Sequence, residues 1–133
     1  MIDNRAKGTH GEVLAVNYLK QKGFEIIARN YSPKSNFQGG EIDIIALKPP
    51  SPAAPPPLQK GELSGVIHFI EVKSRTSDKF GLGREAVTPA KQKIIRKLAT
   101  LYLVQRGIYD TASCCFDVIE INGTQIEHFT NCF

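Results

Sequence analysis

Apolar residues recur at the spacing of an α-helix in two segments of the chain. The first comprises residues 5–22 and ends at Gly23, a residue suited to a left-handed C-terminal cap. The second begins after Thr88 and Pro89, a typical N-cap and first-turn pair, and ends before Gly107. Its predicted apolar stripe comprises Ile94, Ile95, Leu98, Ala99 and Tyr102. The pattern therefore predicts two amphipathic helices.

The other apolar runs are short, rich in β-branched residues and bounded by turn-forming residues, as strands are. The third run is apolar on both faces, which predicts a central strand covered from two sides. The last two runs are joined around Asn122 and Gly123, which predicts a hairpin with a primed turn. The predicted strands are residues 24–31, 39–48, 65–75, 114–121 and 124–130. The expected fold is α/β, in the order helix, three strands, helix and one or two strands, with a mixed sheet flanked by helices.

The chain length of 133 residues fits one domain, residues 1–133, with one substantial core. Segment 49–64 interrupts the pattern, because it holds six of the eight prolines. Proline lacks an amide donor, so the segment is predicted to be a loop insertion in a hairpin. It could alternatively bind a partner as a polyproline helix, but no Pro-x-x-Pro pattern in it has the basic specificity residue of a ligand motif, so a tolerated insertion is favoured.

Composition places the chain among ordinary globular proteins, with 41% apolar and 23% charged residues. The net charge of +4 and the pI near 9.0 favour a polyanionic partner, either nucleic acid or an anionic membrane surface. The first residues are polar, and no apolar run approaches the roughly 18 residues of a membrane span. We therefore expect a cytoplasmic protein without a membrane segment.

Cysteines and histidines lie scattered along the sequence, without the short paired spacing of zinc ligands. Neighbouring cysteines in a strand point to opposite faces and bridge poorly. We therefore expect reduced, structural cysteines, and histidines that pack or lie at the surface, in preference to a zinc or redox site. These residues are Cys114, Cys115, Cys132, His10, His68 and His128.

Charged residues interrupt two of the apolar strands. Glu71 and Lys73 lie on one face near the C-terminal end of the third strand, and Asp43 interrupts the run "GEIDIIA" of the second. Burying an unpaired carboxylate costs several kcal/mol, so these groups need partners. An ion pair with Lys73 would neutralise one acid, whereas a divalent cation between Asp43 and Glu71 would accommodate both. The cation is the favoured interpretation.

Glu12 is a further candidate, because it shares a helix face with Ala15, Val16 and Leu19 and would point inward with them. The alternative is a capping box in which Glu12 accepts the backbone amide of Thr9. A helix that begins earlier than Thr9 would remove that alternative.

The second helix and the residues before it are strongly basic, with a single acid, Glu85, between residues 84 and 106. One face of the helix is predicted to contact phosphates, with a solvated surface as the alternative. The sequence offers no aromatic-rich surface for base stacking, so structure-selective binding is favoured over base reading. The predicted contacts are Lys93, Arg96 and Lys97 on the helix face, with Lys91 and Arg75 nearer to the acidic residues.

The segments "GTHGEVLAVNYL", "FEIIARNY", "GEIDIIA", "FIEVKSR", "FGLGREAV" and "KQKIIRKLATLYL" resemble those of the YraN-type family of uncharacterised, Holliday-junction-resolvase-like predicted endonucleases. An acid on one strand and an acid-x-lysine pair on the next is also the signature of the PD-(D/E)XK nuclease superfamily. The resemblance runs over residues 5–121 and departs from the family at the long proline-rich insertion. It implies a restriction-endonuclease-like core.

The resemblance further implies that Asp43 and Glu71 bind Mg²⁺ (or Mn²⁺), that the Val72 carbonyl is a third ligand, and that Glu12 reaches the ion directly or through water. Lys73 would orient or deprotonate the attacking water, or stabilise the charge at phosphorus. The expected substrate is DNA, branched DNA included, and the analogy with resolvases suggests a homodimer. Two alternatives stay open: a non-catalytic nucleic-acid-binding module of the same fold, and an interaction protein that uses the proline-rich loop.

Overall fold

A computed structural model describes residues 4–33, 40–49, 65–74 and 87–133. These residues form two helices and five strands in the predicted order, with both strands of the closing hairpin present. The elements are α1 (Asn4–Gln21), β1 (Glu25–Tyr31), β2 (Ile42–Lys48), β3 (Val66–Ser74), α2 (Pro89–Gln105), β4 (Ser113–Asn122) and β5 (Gln125–Phe129).

Both helices have the predicted ends. Gly23, after α1, has a φ of +90°, and Gly107, after α2, has a φ of +70°, a backbone conformation that favours glycine. At the start of α2 the Thr88 hydroxyl accepts a hydrogen bond from the Lys91 amide at 3.2 Å, and Pro89 occupies the first turn, where its missing amide is not needed.

The five strands form one mixed sheet in the order β1-β2-β3-β4-β5, so β3 is central as predicted. β3 and β4 are parallel and are connected by α2, while the other neighbours are antiparallel. The β2–β3 register pairs Ile44 with Ile70, which brings together the strand ends that carry the predicted acidic residues.

Each face of the sheet packs against its own hydrophobic cluster, because β3 and its neighbours are apolar on both sides. The α1 face buries Ala15, Leu19, Ile44, Ile70 and Ile119. The α2 face buries Ile45, Phe69, Leu98, Tyr102 and Val118. The predicted stripe of α2 is thus confirmed, with Ile94 at its partly buried margin.

Gly11 sets how closely α1 approaches β3. A Cβ atom at this position would lie 2.9 Å from the Ser74 Oγ, closer than ordinary van der Waals contact. The absence of a side chain therefore lets the helix lie against the end of β3, and it brings the following residue, Glu12, to the sheet.

Two predictions concern residues beyond the described ranges. Of the proline-rich insertion at 49–64, only Pro49, directly after β2, is described, and residues 50–64 lie outside. The one-domain organisation therefore stays a prediction. Within the described residues, neither helix combines the length and the apolar character that crossing a membrane requires.

Candidate metal centre

Asp43 and Glu71 lie beside each other on neighbouring antiparallel strands. Ile44 of β2 pairs with Ile70 of β3. Because the strands are antiparallel, Asp43 and Glu71 occupy the next pair of positions in the register. Strand alternation places Glu71 on the α2 face with Phe69, and Asp43 lies at the start of β2. The Val72 amide donates a hydrogen bond to the Asp43 Oδ2 at 2.9 Å, which fixes this carboxylate against β3.

Glu71 is buried, with 6% of its surface exposed, and forms an ion pair with Lys73. The Lys73 Nζ lies 3.6 Å from the Glu71 Oε1, and the lysine side chain is 40% exposed. The Glu71 Oε2 is buried and has no hydrogen-bond donor among the described residues. The predicted alternative, an internal ion pair, thus accounts for one oxygen of Glu71. It leaves Asp43 without a lysine or arginine partner in the described part of the chain.

Glu12 reaches the same point from α1. Its carboxylate lies within 4.8 Å of those of Asp43 and Glu41, and it is nearly buried, at 8% exposure. The helix begins at Asn4, so Glu12 lies in its interior and the capping box with Thr9 is wrong. The Arg29 Nη2 lies 3.6 Å from the Glu12 Oε2 and holds the carboxylate at the cluster.

Sequence reasoning missed Glu41, the third carboxylate of this group. The signal was present in "GEIDIIA": Glu41 precedes Asp43 by two residues, the spacing at which side chains of an extended chain share a face. We name Glu12, Glu41, Asp43 and Glu71 the acidic centre.

In the described part of the chain, the negative charge of the acidic centre is only partly balanced by Arg29, Lys73 and Lys91. Burial, and then the Glu71 carboxylate, raise the pKa of Asp43 to about 7, with smaller contributions from Glu12 and Glu41 and partial opposition from the Val72 amide. Burial also raises the pKa of Glu71, against the opposing charges of Lys91 and Lys73.

Among the described residues, Lys91 is the one predicted phosphate contact that lies at the acidic centre. Its charge acts on Glu71, and its Nζ lies 3.5 Å from the position of a Cβ on Gly40, three residues before Asp43. The Thr88 cap and the first turn of α2 hold Lys91 there.

The other predicted phosphate contacts have different surroundings. Lys93 and Lys97 are exposed on α2. The Arg96 guanidinium lies 4.7 Å from the Phe116 ring centre and 5.9 Å from that of Phe133, so it packs on aromatic rings. Arg75 lies outside the described residues.

The donor set of the acidic centre fits a hard divalent cation. Carboxylate oxygens are the ligands that Mg²⁺ and Mn²⁺ prefer. The buried Glu71 Oε2 has no hydrogen-bond donor among the described residues, and such an ion could take the place of one. The residues that could hold the ion are Asp43 and Glu71 with Glu12 and Glu41.

The sequence matches a family model over residues 11–121, and the description of that family is uncharacterised protein family UPF0102. It is 40% identical to a UPF0102 protein of Chlorobium phaeobacteroides, with 98% of this chain and 95% of the relative covered. It is 37% identical to a UPF0102 protein of Clostridioides difficile (99% and 100%) and 40% identical to one of Clostridium perfringens strain 13 (90% and 81%). The chain therefore belongs to the uncharacterised protein family UPF0102, the YraN-type family that its motifs predict.

Proposed function

We propose that this protein is a divalent-metal-dependent endonuclease with a restriction-endonuclease-like core, and that it hydrolyses phosphodiester bonds in DNA, branched DNA included. One observation carries the proposal: Asp43 and Glu71 lie side by side on neighbouring strands, with the Lys73 ammonium 3.6 Å from Glu71. This is the acid and acid-x-lysine constellation that the sequence motifs predict.

Asp43 and Glu71 are the proposed ligands of Mg²⁺ or Mn²⁺, with the Val72 carbonyl as a third and Glu12 acting directly or through water. Glu41 joins them as a candidate because its carboxylate lies within 4.8 Å of those of Glu12 and Asp43. When bound, such an ion neutralises the phosphodiester and acidifies a water molecule.

The protein residues contribute position and charge. The Val72 amide fixes the orientation of Asp43, and Arg29 fixes that of Glu12. Lys73 is partly exposed and adjacent to Glu71, so its ammonium is available to orient the attacking water or to stabilise negative charge at phosphorus. Lys91, whose charge also acts on Glu71, is suited to contact a substrate phosphate.

Binding to nucleic acid is assigned to the α2 side of the molecule. Lys93 and Lys97 are exposed there, and Arg75 and Lys91 complete the proposed set. Arg96, which the sequence also predicts as a phosphate contact, is assigned to packing because of its aromatic contacts. Phosphate contacts carry no base information, so recognition of DNA structure is proposed. A homodimer is proposed by analogy with resolvases, and light scattering tests it.

The experiment is a cleavage assay on four-way junction, duplex and single-stranded DNA and on RNA, with Mg²⁺, with Mn²⁺ and with chelator. We expect metal-dependent cleavage of DNA. The variants Asp43→Asn and Lys73→Ala should each reduce the rate by about 100-fold or more, because each removes a group that acts on the reacting phosphate.

The matched controls are Asp110→Asn and Lys20→Ala, which change exposed residues of the same types away from the acidic centre. They should cleave at the rate of the unmodified chain. If no substrate is cut, or if Asp43→Asn and Lys73→Ala cut as fast as the controls, the enzyme proposal fails. DNA binding without cleavage would support the non-catalytic module instead.

A further inference from the structure

A second cluster of polar side chains lies on the opposite face of the sheet from Glu71. The Asp117 Oδ2 lies 2.5 Å from the His68 Nδ1 and 2.8 Å from the His128 Nε2. The Cys115 Sγ lies 3.0 Å from the His68 Nδ1 and 3.3 Å from the Asp117 Oδ1. We name His68, Cys115, Asp117 and His128 the mixed-donor cluster; its residues come from β3, β4 and β5.

Strand pairing produces this convergence. His68 and Cys115 are direct partners in the parallel β3–β4 ladder, and Asp117 follows Cys115 by two residues on the same face of β4. His128 is paired with Ile119 on β5, two residues further along β4. The four side chains thus share one face, with Ile70 and Ile119 of the α1-side core.

The cluster is enclosed by aromatic rings. The Phe24 ring centre lies 4.9 Å from that of His68 and 5.8 Å from that of His128, and Tyr18 packs edge-on to His128 at 6.2 Å. Asp117 is fully buried, and its ion pairs within the described residues are with His68 and His128. His68, Asp117 and His128 therefore each offer a ligand atom within 4.8 Å of those of the other two. Cys115, which is partly buried, contacts two of them, His68 and Asp117.

A nucleophilic role for the cysteine does not fit this geometry. In a cysteine–histidine–aspartate triad, the thiol and the carboxylate contact different nitrogens of the imidazole. Here Cys115 and Asp117 both approach the Nδ1 of His68, at 3.0 and 2.5 Å. Burial and the neighbouring Asp117 also raise the pKa of the Cys115 thiol to about 12, which disfavours a free thiolate.

The same convergence suits a cation, because the Asp117 carboxylate lies within hydrogen-bond distance of the His68 Nδ1, the His128 Nε2 and the Cys115 Sγ. Each of these atoms becomes a metal ligand once it gives up its proton. Two imidazole nitrogens, a thiolate and a carboxylate oxygen are ligands of Zn²⁺, which favours four of them in a tetrahedron. We infer that His68, Cys115, Asp117 and His128 form a binding site for one transition-metal ion of the Zn²⁺ class.

Metal binding requires a defined movement of protons. The Cys115 thiol loses its proton to solvent and binds as thiolate, and Asp117 binds as carboxylate. His68 binds through Nδ1 and keeps its proton on Nε2, while His128 binds through Nε2 and keeps its proton on Nδ1. Tetrahedral ligands around Zn²⁺ lie roughly 3.3 Å or more apart, so the donors at 2.5 to 3.0 Å move outward by less than about 1 Å.

Four protein ligands leave no open coordination position, so the site is structural. The ion would join β3, β4 and β5, the half of the sheet that carries the closing hairpin. This inference is independent of the proposed nuclease activity, because none of its residues belongs to the acidic centre.

The test is titration of the reduced, chelator-stripped full chain with Co²⁺, followed by competition with Zn²⁺. Tetrahedral cobalt with a thiolate ligand gives visible d–d bands and a thiolate-to-cobalt charge-transfer band in the near ultraviolet. We expect both at one ion per chain, their loss on addition of Zn²⁺, and a rise in melting temperature with Zn²⁺. The acidic centre contains no sulfur and cannot produce the charge-transfer band.

Substitutions of the proposed ligands test whether the metal ion binds at the mixed-donor cluster. Cys115→Ser should abolish the charge-transfer band and weaken Zn²⁺ binding on the order of 100-fold, and His128→Gln should weaken it similarly. The matched control, Cys114→Ser, changes the exposed neighbouring thiol and should behave as the unmodified chain, as should Asp43→Asn. Absence of the band in the unmodified chain overturns the inference without any variant. Equal spectra of Cys115→Ser and Cys114→Ser overturn it as well.

Discussion

Two carboxylates in this sheet, Asp43 in β2 and Asp117 in β4, have opposite surroundings. Asp117 accepts hydrogen bonds from two histidine rings, a thiol and a backbone amide. Burial acts to raise the pKa of Asp117, but the two histidines and the Asn131 amide together outweigh it and hold the pKa below its usual range. Within the described ranges Asp43 accepts one backbone hydrogen bond, and burial together with the neighbouring carboxylates raises its pKa to about 7.

The neighbours of a buried acid thus decide what the acid can bind. Asp117 is neutralised by donors of the protein itself, so a metal enters only by displacing their protons. Among the described residues Asp43 has no such set of donors, so a cation from solution can supply the missing positive charge without that exchange. The acidic centre therefore suits a hard, exchangeable ion, and the mixed-donor cluster suits a soft, tightly held one.

The contrast between Asp117 and Asp43 is tested most directly by replacing each with asparagine and measuring the free energy of unfolding of the metal-free protein. Asp117→Asn should lower the free energy of unfolding by on the order of 3 kcal/mol, because it removes the negative charge and turns one of the two accepting oxygens into an amide that donates towards histidine or thiol donors. Urea unfolding in chelator measures the change. The exposed control, Asp110→Asn, should stay within about 0.5 kcal/mol of the unmodified chain. An Asp117→Asn variant as stable as this control would be incompatible with the role given to Asp117.

The effect at Asp43 should have the opposite sign. Because burial and then Glu71 raise its pKa, the folded chain binds more protons than the unfolded chain between about pH 4 and 7, and stability falls as pH rises through that range. In chelator at about pH 8, Asp43→Asn should raise the free energy of unfolding by on the order of 2 kcal/mol, and it should flatten the pH profile. Unfolding curves from about pH 5 to 8 test this. A profile as steep in the variant as in the unmodified chain would refute it.

A smaller effect is expected for DNA binding, which is assigned to the α2 side of the sheet. Replacing Lys93 and Lys97 by alanine should weaken DNA binding and reduce the slope of log K against log salt by about 0.9 for each phosphate that is no longer neutralised. The control replaces the exposed Lys20 and Lys22 of the α1 side and should keep the slope. Binding measured by fluorescence anisotropy over a salt series provides the test. Equal slopes in the two double variants would remove the assignment to α2.

The elements of the fold were predictable because periodicity is a local property of the sequence. The helix ends followed from Gly23, Thr88 and Gly107, and the central place of β3 from its two apolar faces. The start of β2 was less predictable: the predicted strand begins at residue 39, but Gly40 has a φ of +77° and β2 begins at Ile42.

The acidic centre was predictable in part, since a charge within an apolar strand needs a partner. Asp43, Glu71 and Lys73 were identified in this way, whereas Glu41, which lies just before the strand, was not. The mixed-donor cluster gave no sequence signal. His68 and Asp117 are 49 residues apart, and only the parallel pairing of β3 with β4 brings them together.

Calorimetric titration of the chelator-stripped chain with Mn²⁺ is the decisive experiment for the acidic centre. We expect binding by the unmodified chain and by Cys115→Ser, and loss of binding in Asp43→Asn combined with Glu71→Gln, because the hard carboxylates hold the ion. Mn²⁺ binding by the double variant equal to that of the unmodified chain would contradict the assignment of a metal centre to Asp43 and Glu71.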